Sequence, residues 1–154
     1  TWKLCAWHKP HKDLQLGVQR DNIGWDLYTT CQKAGAYILT GHDHSYARTK
    51  TMSDFANKVS LDSASEDVVL IGNGFSGAII AGLGGRSIHK RGVNTGPWWA
   101  NTYSAENLRI ETQGRRSNIA GVLFCTFEKG KTEAPCYFKM TDGKVIDVFT
   151  LKRI

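Results

Sequence analysis

Two short apolar runs, Lys3 to Trp7 and Ala36 to Thr40, bracket a segment with helical periodicity, and that order leaves few folds open. The first run stops at His8-Lys9-Pro10, because proline has no amide proton to give to a ladder or helix. A polar loop through Gly17 to Asn22 follows. Asp21 or Asn22 then supplies an N-cap for a helix whose apolar positions Ile23, Leu27, Cys31 and Ala34 recur at helical spacing, and Gly35 marks its end. Parallel strands need a long crossover, usually a helix, so the pattern predicts a parallel strand–helix–strand unit. Ligands of open sheets of this kind gather beyond the carboxyl ends of the strands. Both ends carry histidine here: His8 after the first run, His42 and His44 after the second.

The remainder reads as strands and turns in an α/β chain with a mixed sheet. Thr49 to Glu66 is polar, Val68 to Ile71 and Ala78 to Ala81 are short apolar runs, and Gly82-Leu83-Gly84-Gly85 is a glycine-rich turn. Residues 86 to 118 read mostly as loop anchored by Pro97, Trp98 and Trp99, with a turn of helix allowed after them. Three strand-like runs close the chain: Ile119 to Phe127, Cys136 to Met140 and Val145 to Leu151. The turn Thr141 to Lys144 between the last two contains Asp-Gly, which tolerates the positive backbone angles of a tight hairpin. No repeat or interdomain linker divides residues 1 to 154, which read as a single domain.

Composition excludes several classes. Of 154 residues, 41% are hydrophobic and 22% charged, too apolar for a disordered chain. No apolar stretch is long enough to cross a bilayer as a helix, so no membrane association is expected. The net charge of +6 contains no solid basic run, and a nucleic-acid partner is not expected. Thr1 is preceded by no methionine, signal sequence or targeting segment, as expected of a processed or trimmed chain. Cys5, Cys31, Cys125 and Cys136 fit no zinc spacing. Cys125 and Cys136 either face each other across a hairpin as a disulfide, which requires an oxidising compartment, or pack as buried thiols.

Gly41-His42-Asp43-His44 carries the chemistry. Histidines two apart in an extended chain point to one side, and with His8 from a neighbouring strand three imidazoles are expected to converge on a transition-metal ion. His11 and His89 lack partners in the sequence and are expected on the surface. Tyr46 and Arg48 either face a substrate or pack beneath the site. Gly82 to Gly85 with Arg86 read as a tight turn rather than an anion cradle, and Trp98 and Trp99 as packing rather than nucleobase stacking.

The stretches Trp2 to Lys9, Gly24-Trp25 and Ala36 to Thr49, the last with Gly-His-Asp-His-Ser-Tyr-Ala-Arg-Thr, resemble the carboxyl-terminal half of a calcineurin-like metallophosphoesterase, closest to the purple acid phosphatase branch. The resemblance continues through Gly82 to Gly85, Pro97-Trp98-Trp99, Leu123 to Phe127 and Cys136 to Lys139. It implies half of a four-layer α/β/β/α sandwich. It also implies that His8 and His42 bind the second metal of a binuclear centre and His44 the first, with His42 catalytic. The implied centre holds iron with zinc, manganese or a second iron, and its bridging hydroxide attacks a phosphate ester.

The chain departs from the family where the carboxylates should be. It contains no Asp-x-His and no Gly-Asp, and its one Gly-Asn pair, Gly72-Asn73, is followed by Gly74. Asp43 sits between two histidines and is expected to point away from the metal side. Three neutral imidazoles bring no negative charge to offset the repulsion between two cations, so the chain alone is expected to bind one metal weakly at best and to be inactive. Two readings follow. One is the C-terminal half of a secreted phosphoesterase, completed by an N-terminal half or partner chain that covers an exposed sheet face. The other is a noncatalytic structural module that associates with itself as a homo-oligomer.

Overall fold

The computed structural model describes residues 1–17, 23–62, 65–85, 87–92, 96–107 and 120–154. It is a mixed α+β structure, rich in sheet. β1 (Leu4–Ala6), α1 (Asp26–Lys33) and β2 (Tyr37–Thr40) form the expected parallel unit, with Leu4 opposite Tyr37 and Ala6 opposite Leu39. The helix is shorter than its periodicity suggested. It starts at Asp26 after Trp25, whose side chain makes no capping bond, while Asp21 and Asn22 lie outside the described residues. Leu27 is exposed, and Tyr28, Cys31 and Gln32 are buried instead. Gly35 ends the helix with φ 65, a conformation open to glycine without the penalty a Cβ would bring.

Two sheets follow. One has five strands in the order β1-β2-β7-β3-β8, where β3 is Tyr46–Thr49, β7 is Ala78–Ala81 and β8 is Trp99–Tyr103. β1, β2 and β7 run parallel, β3 pairs antiparallel with β7 at one side, and β8 pairs antiparallel with β3 beyond it. The second sheet has the order β6-β11-β10-β9, with β6 at Val68–Ile71, β9 at Gly121–Cys125, β10 at Glu133–Met140 and β11 at Val145–Arg153. β4 (Met52–Asp54) and β5 (Val59–Ser60) make a small hairpin within the segment read as polar. Two readings are corrected here. Residues 99–103 are a strand rather than loop, and β10 begins at Glu133 rather than at Cys136, while Tyr46 and Arg48 lie together in the strand β3. The 133–140 run alternates exposed and buried residues, and that period of two is what a sheet with one covered face requires.

The sheets pack face to face. Tyr37, Tyr46, Ile79 and Tyr103 of the first meet Val69, Cys136, Phe138, Phe149 and Leu151 of the second in one buried cluster. The Tyr46 and Phe138 rings lie 4.3 Å apart by centroid. Alternation along β2 sends Tyr37 into this cluster and Ile38 to the opposite face. There Ile38 joins Tyr28, Cys31, Ala36 and Phe55 beneath α1. A disulfide between Cys5 of β1 and Cys31 of α1 straps the helix to the sheet. A second joins Cys125 and Cys136, which stand directly opposite in the β9–β10 pairing, so the disulfide alternative is the one realised. Both are compatible with an oxidising compartment.

Between the sheets lies a buried ion pair. Arg48 Nε and Nη2 donate to Asp147 Oδ2 and Oδ1 at 2.6 and 3.0 Å, the Tyr46 hydroxyl donates to Oδ2 at 2.5 Å, and Arg48 Nη1 donates to the Glu66 carbonyl at 2.7 Å. The guanidinium carbon sits 4.4 Å from the Phe149 ring centre. Burial works against the Asp147 charge, but the hydrogen bonds and charge of Arg48 outweigh it and hold the carboxyl below its ordinary value. Removing one partner leaves the other charge buried and uncompensated. Asp147→Asn is expected to cost about 3–5 kcal/mol at neutral pH in urea denaturation. A depressed carboxyl contributes stability above its unfolded value of about 3.9 and loses it as pH falls through the lower folded value. The gap between wild type and Asp147→Asn should therefore close in acid.

Candidate functional site: a histidine edge

Three parallel strands deliver their carboxyl ends to one edge of the five-stranded sheet, and the antiparallel β3 starts there, with Tyr46 opposite Ala81. Backbone bonds carry the pairing past the strand ends: Trp7 N–H donates to Leu39 O at 3.2 Å and Gly41 N–H to His8 O at 3.1 Å. His8 and His42 are thereby brought together, with His42 Nδ1 3.2 Å from His8 Nε2 and ring centroids 5.0 Å apart, planes crossing at 75°. His8 is exposed and His42 half-buried.

The Gly-His-Asp-His segment is a turn, not an extended strand. His42 has φ 61, Asp43 N–H donates to Gly41 O at 2.6 Å and Ser45 N–H to Asp43 O at 2.7 Å. The two-residue periodicity that would place His42 and His44 on one side therefore does not apply. His44 packs elsewhere. Its ring stacks on His89, with centroids 4.2 Å apart and planes 16° from parallel, and its Nδ1 lies 3.4 Å from Ser87 Oγ. Among the described residues, no group of three or more His, Cys, Asp or Glu side chains is arranged around one ion position.

Asp43 organises this edge from inside. Its side chain is fully buried, and Oδ2 accepts from Leu16 N at 2.8 Å, Gly17 N at 3.0 Å and Ser45 Oγ at 2.8 Å. Oδ1 stands 2.8 Å from His89 Nδ1. The carboxylate thus points into the protein and ties the loop after β1, the turn after β2 and the segment after β7 together. Gly82 permits the closeness, because a Cβ there would collide with the Asp43 carbonyl, and its N–H donates to Ser45 O at 3.0 Å.

Two placements are corrected, those of His89 and His11. His89 is half-buried and belongs to the edge. His11 is buried, stacks on Trp25 at 3.6 Å between centroids, and accepts from Asp13 N at 3.1 Å; burial pushes its imidazole pKa down. Tyr46 and Arg48 take the packing role, held between the sheets by Asp147. Trp98 and Trp99 border the core on the helix side of the sheet. Arg86 lies outside the described residues. The signal for His89 in the sequence is its place after a third strand of the same direction, since Ala78–Ala81 is parallel to β2.

The donor set can be tested for fit. A tetrahedral ion with bonds of about 2.0–2.1 Å to imidazole nitrogen separates two such ligands by about 3.3 Å. The 3.2 Å spacing of His8 Nε2 and His42 Nδ1 is that of a hydrogen bond between the two rings, and the same spacing on steeply crossed planes is compatible with two adjacent ligands of one ion once the shared proton is released. A bridged pair of cations does not fit. Asp43, the carboxylate between the histidines, is spent on interior donors. Comparisons with protein-family models, curated proteins and solved structures return no match for this chain.

Asp43→Ala is expected to strand the Leu16 and Gly17 amides and the Ser45 hydroxyl. A stability loss of about 2–4 kcal/mol should follow, because each orphaned buried donor costs about 1–3 kcal/mol and the site relaxes in part. Hydrogen exchange at Leu16 and Gly17 should accelerate more than exchange in β10 and β11.

Proposed function

We propose that this chain supplies imidazole ligands to a metal-dependent phosphoesterase centre and forms the C-terminal half of a metallophosphoesterase sandwich. The observation that supports the reading best is the His8–His42 pair, set 3.2 Å apart beyond the carboxyl ends of two parallel strands. His8 and His42 would hold an ion, with His44 on the same edge. A bound ion would polarise a phosphate ester oxygen and lower the pKa of a coordinated water. The chain's own residues orient that ion but bring it no negative charge. Carboxylates from a further segment or chain complete the centre, and without them the affinity is weak and turnover absent. Two disulfides suit a secreted enzyme.

Calorimetric titration with zinc, manganese and ferrous iron tests this, together with hydrolysis of p-nitrophenyl phosphate. The expected outcome is one weakly bound ion, loss of binding in His8→Ala and in His42→Ala, and no metal-dependent hydrolysis. Robust turnover by the chain alone would overturn the claim of an incomplete ligand set. Zinc binding unchanged in both variants would overturn the ligand assignment.

A second reading is favoured by one specific surface. Phe124, Tyr137 and Val148 stand in one row across β9, β10 and β11 on the outer face of the four-stranded sheet, between 40 and 64% exposed, with the Phe124 and Tyr137 rings stacked at 5.0 Å. An apolar row of that kind suits a structural module that self-associates. Sedimentation equilibrium decides between the readings. An ordered oligomer that binds no metal supports the structural module, and a monomer that binds zinc through His8 and His42 supports the phosphoesterase half.

A further inference from the structure

Arg153 is left uncompensated by the packing of the two sheets. Alternation along β11 buries Leu151, turns Lys152 outward and brings Arg153 back to the inner side, half-buried. There its guanidinium carbon sits 5.4 Å from the centre of the Trp2 ring, which itself packs against the inter-sheet core. Arg48, the other arginine on the inner side, is neutralised by Asp147. Among the described residues no carboxylate pairs with Arg153, because Glu133, across the β10–β11 pairing, is engaged by Lys152 at 3.0 Å. Arg153 Nε and Trp2 Nε1 are both buried and find no acceptor among the described residues. Unpaired donors of this kind are uncommon, since each costs free energy that a hydrogen bond would recover.

Both residues line a groove of about 320 Å³. It lies at the end of the molecule away from the histidine edge, since Trp2 precedes β1 and His8 follows it. The β9–β10 connection forms its other side. Lys131 N–H donates to Glu128 O at 3.3 Å, Gly130 turns with φ 81, and Arg153 N–H donates to Thr132 O at 2.8 Å, which ties the loop to the end of β11. Phe127 meets Trp2 edge to face, 5.2 Å between centroids, and stays 38% exposed. Three cations, Lys129, Lys131 and Arg153, stand against one carboxylate, Glu128, among the lining side chains, a net charge of +2.

Small-molecule sites combine apolar or aromatic walls with a few polar groups that fix orientation. Trp2 and Phe127 supply the walls. The Arg153 guanidinium supplies the polar group, and its planar fork matches a carboxylate in a bidentate contact. We propose that this groove binds a small organic anion, a carboxylate carried on a flat aromatic body, with the charge on Arg153 and the ring against Trp2 and Phe127. Lys129 and Lys131 are exposed, so their attraction is screened by salt and adds little to selectivity. A bare anion lacks the ring contact and a neutral ring lacks the charge, so both features are needed. The site is separate from the histidine edge and requires no metal.

Three probes test this on the full chain: naphthoate, its neutral counterpart naphthylmethanol, and acetate. Binding is followed by calorimetry and by the indole N–H resonances, with the Trp2 signal assigned from Trp2→Phe. Naphthoate is expected to bind about tenfold or more tighter than either other probe, and to shift the Trp2 indole signal more than those of Trp7, Trp25, Trp98 and Trp99. Arg153→Gln should bring naphthoate down to the affinity of the alcohol and leave the alcohol unchanged. Equal affinity for naphthoate and naphthylmethanol, or no binding of naphthoate, would overturn the proposal on the wild-type chain without any variant having to fold. So would a largest shift on another tryptophan, or full naphthoate affinity in Arg153→Gln.

Discussion

The Arg48–Asp147 pair is the interaction on which the rest of the molecule leans. It joins β3 of the five-stranded sheet to β11 of the four-stranded sheet, in a core otherwise built of aromatic and aliphatic side chains. Hydrophobic packing has no preferred register, since rings and methyl groups slide at modest cost. A bidentate charge-assisted contact, with Tyr46 as an additional donor, selects one alignment of the two sheets because any other leaves a buried charge unpaired. β3 begins two residues after His44, so the alignment that satisfies Asp147 also sets where the histidine turn emerges.

A second buried carboxylate works at the edge itself. Asp43 sits between two histidines in sequence but faces away from them, toward the loop after β1. A motif that reads as two ligands with a spacer is in three dimensions two histidines around an internal anchor. That anchor bends the backbone into a positive φ at His42 and separates the two rings, sending one to His8 and the other to His89. Gly82 is the steric counterpart of this arrangement, the place where the strand after the core must pass against the Asp43 carbonyl. The sheet, the inter-sheet ion pair and the edge carboxylate thus form one chain of dependence from core to site.

Much of the fold was legible because periodicity and breakers are local. Val68–Ile71 and Ala78–Ala81 coincide with their apolar runs, and the Asp-Gly turn between β10 and β11 has Gly143 at φ 92 as such a hairpin requires. The misses share a cause. Tyr46–Thr49 has all four residues buried and mixes aromatic, small, charged and hydroxyl side chains, so neither alternation nor an apolar run marks it as a strand. Leu27 turns outward because the helix rotates to bury Tyr28 and to bring Cys31 to Cys5. His11 and His89, isolated in sequence, are interior because Trp25 and Asp43 come to them from distant segments.

The sequence by itself determined that a parallel strand–helix–strand unit would end in histidines on one edge, because apolar spacing, proline and glycine act within a few residues. Only the tertiary structure decided how those histidines are grouped. Pairing His8 with His42 and His44 with His89 depends on contacts spanning 34 and 45 residues or more, and on a carboxylate whose four partners lie in three segments. Ring orientation is set by what each imidazole packs against, and that is not a property of spacing along the chain.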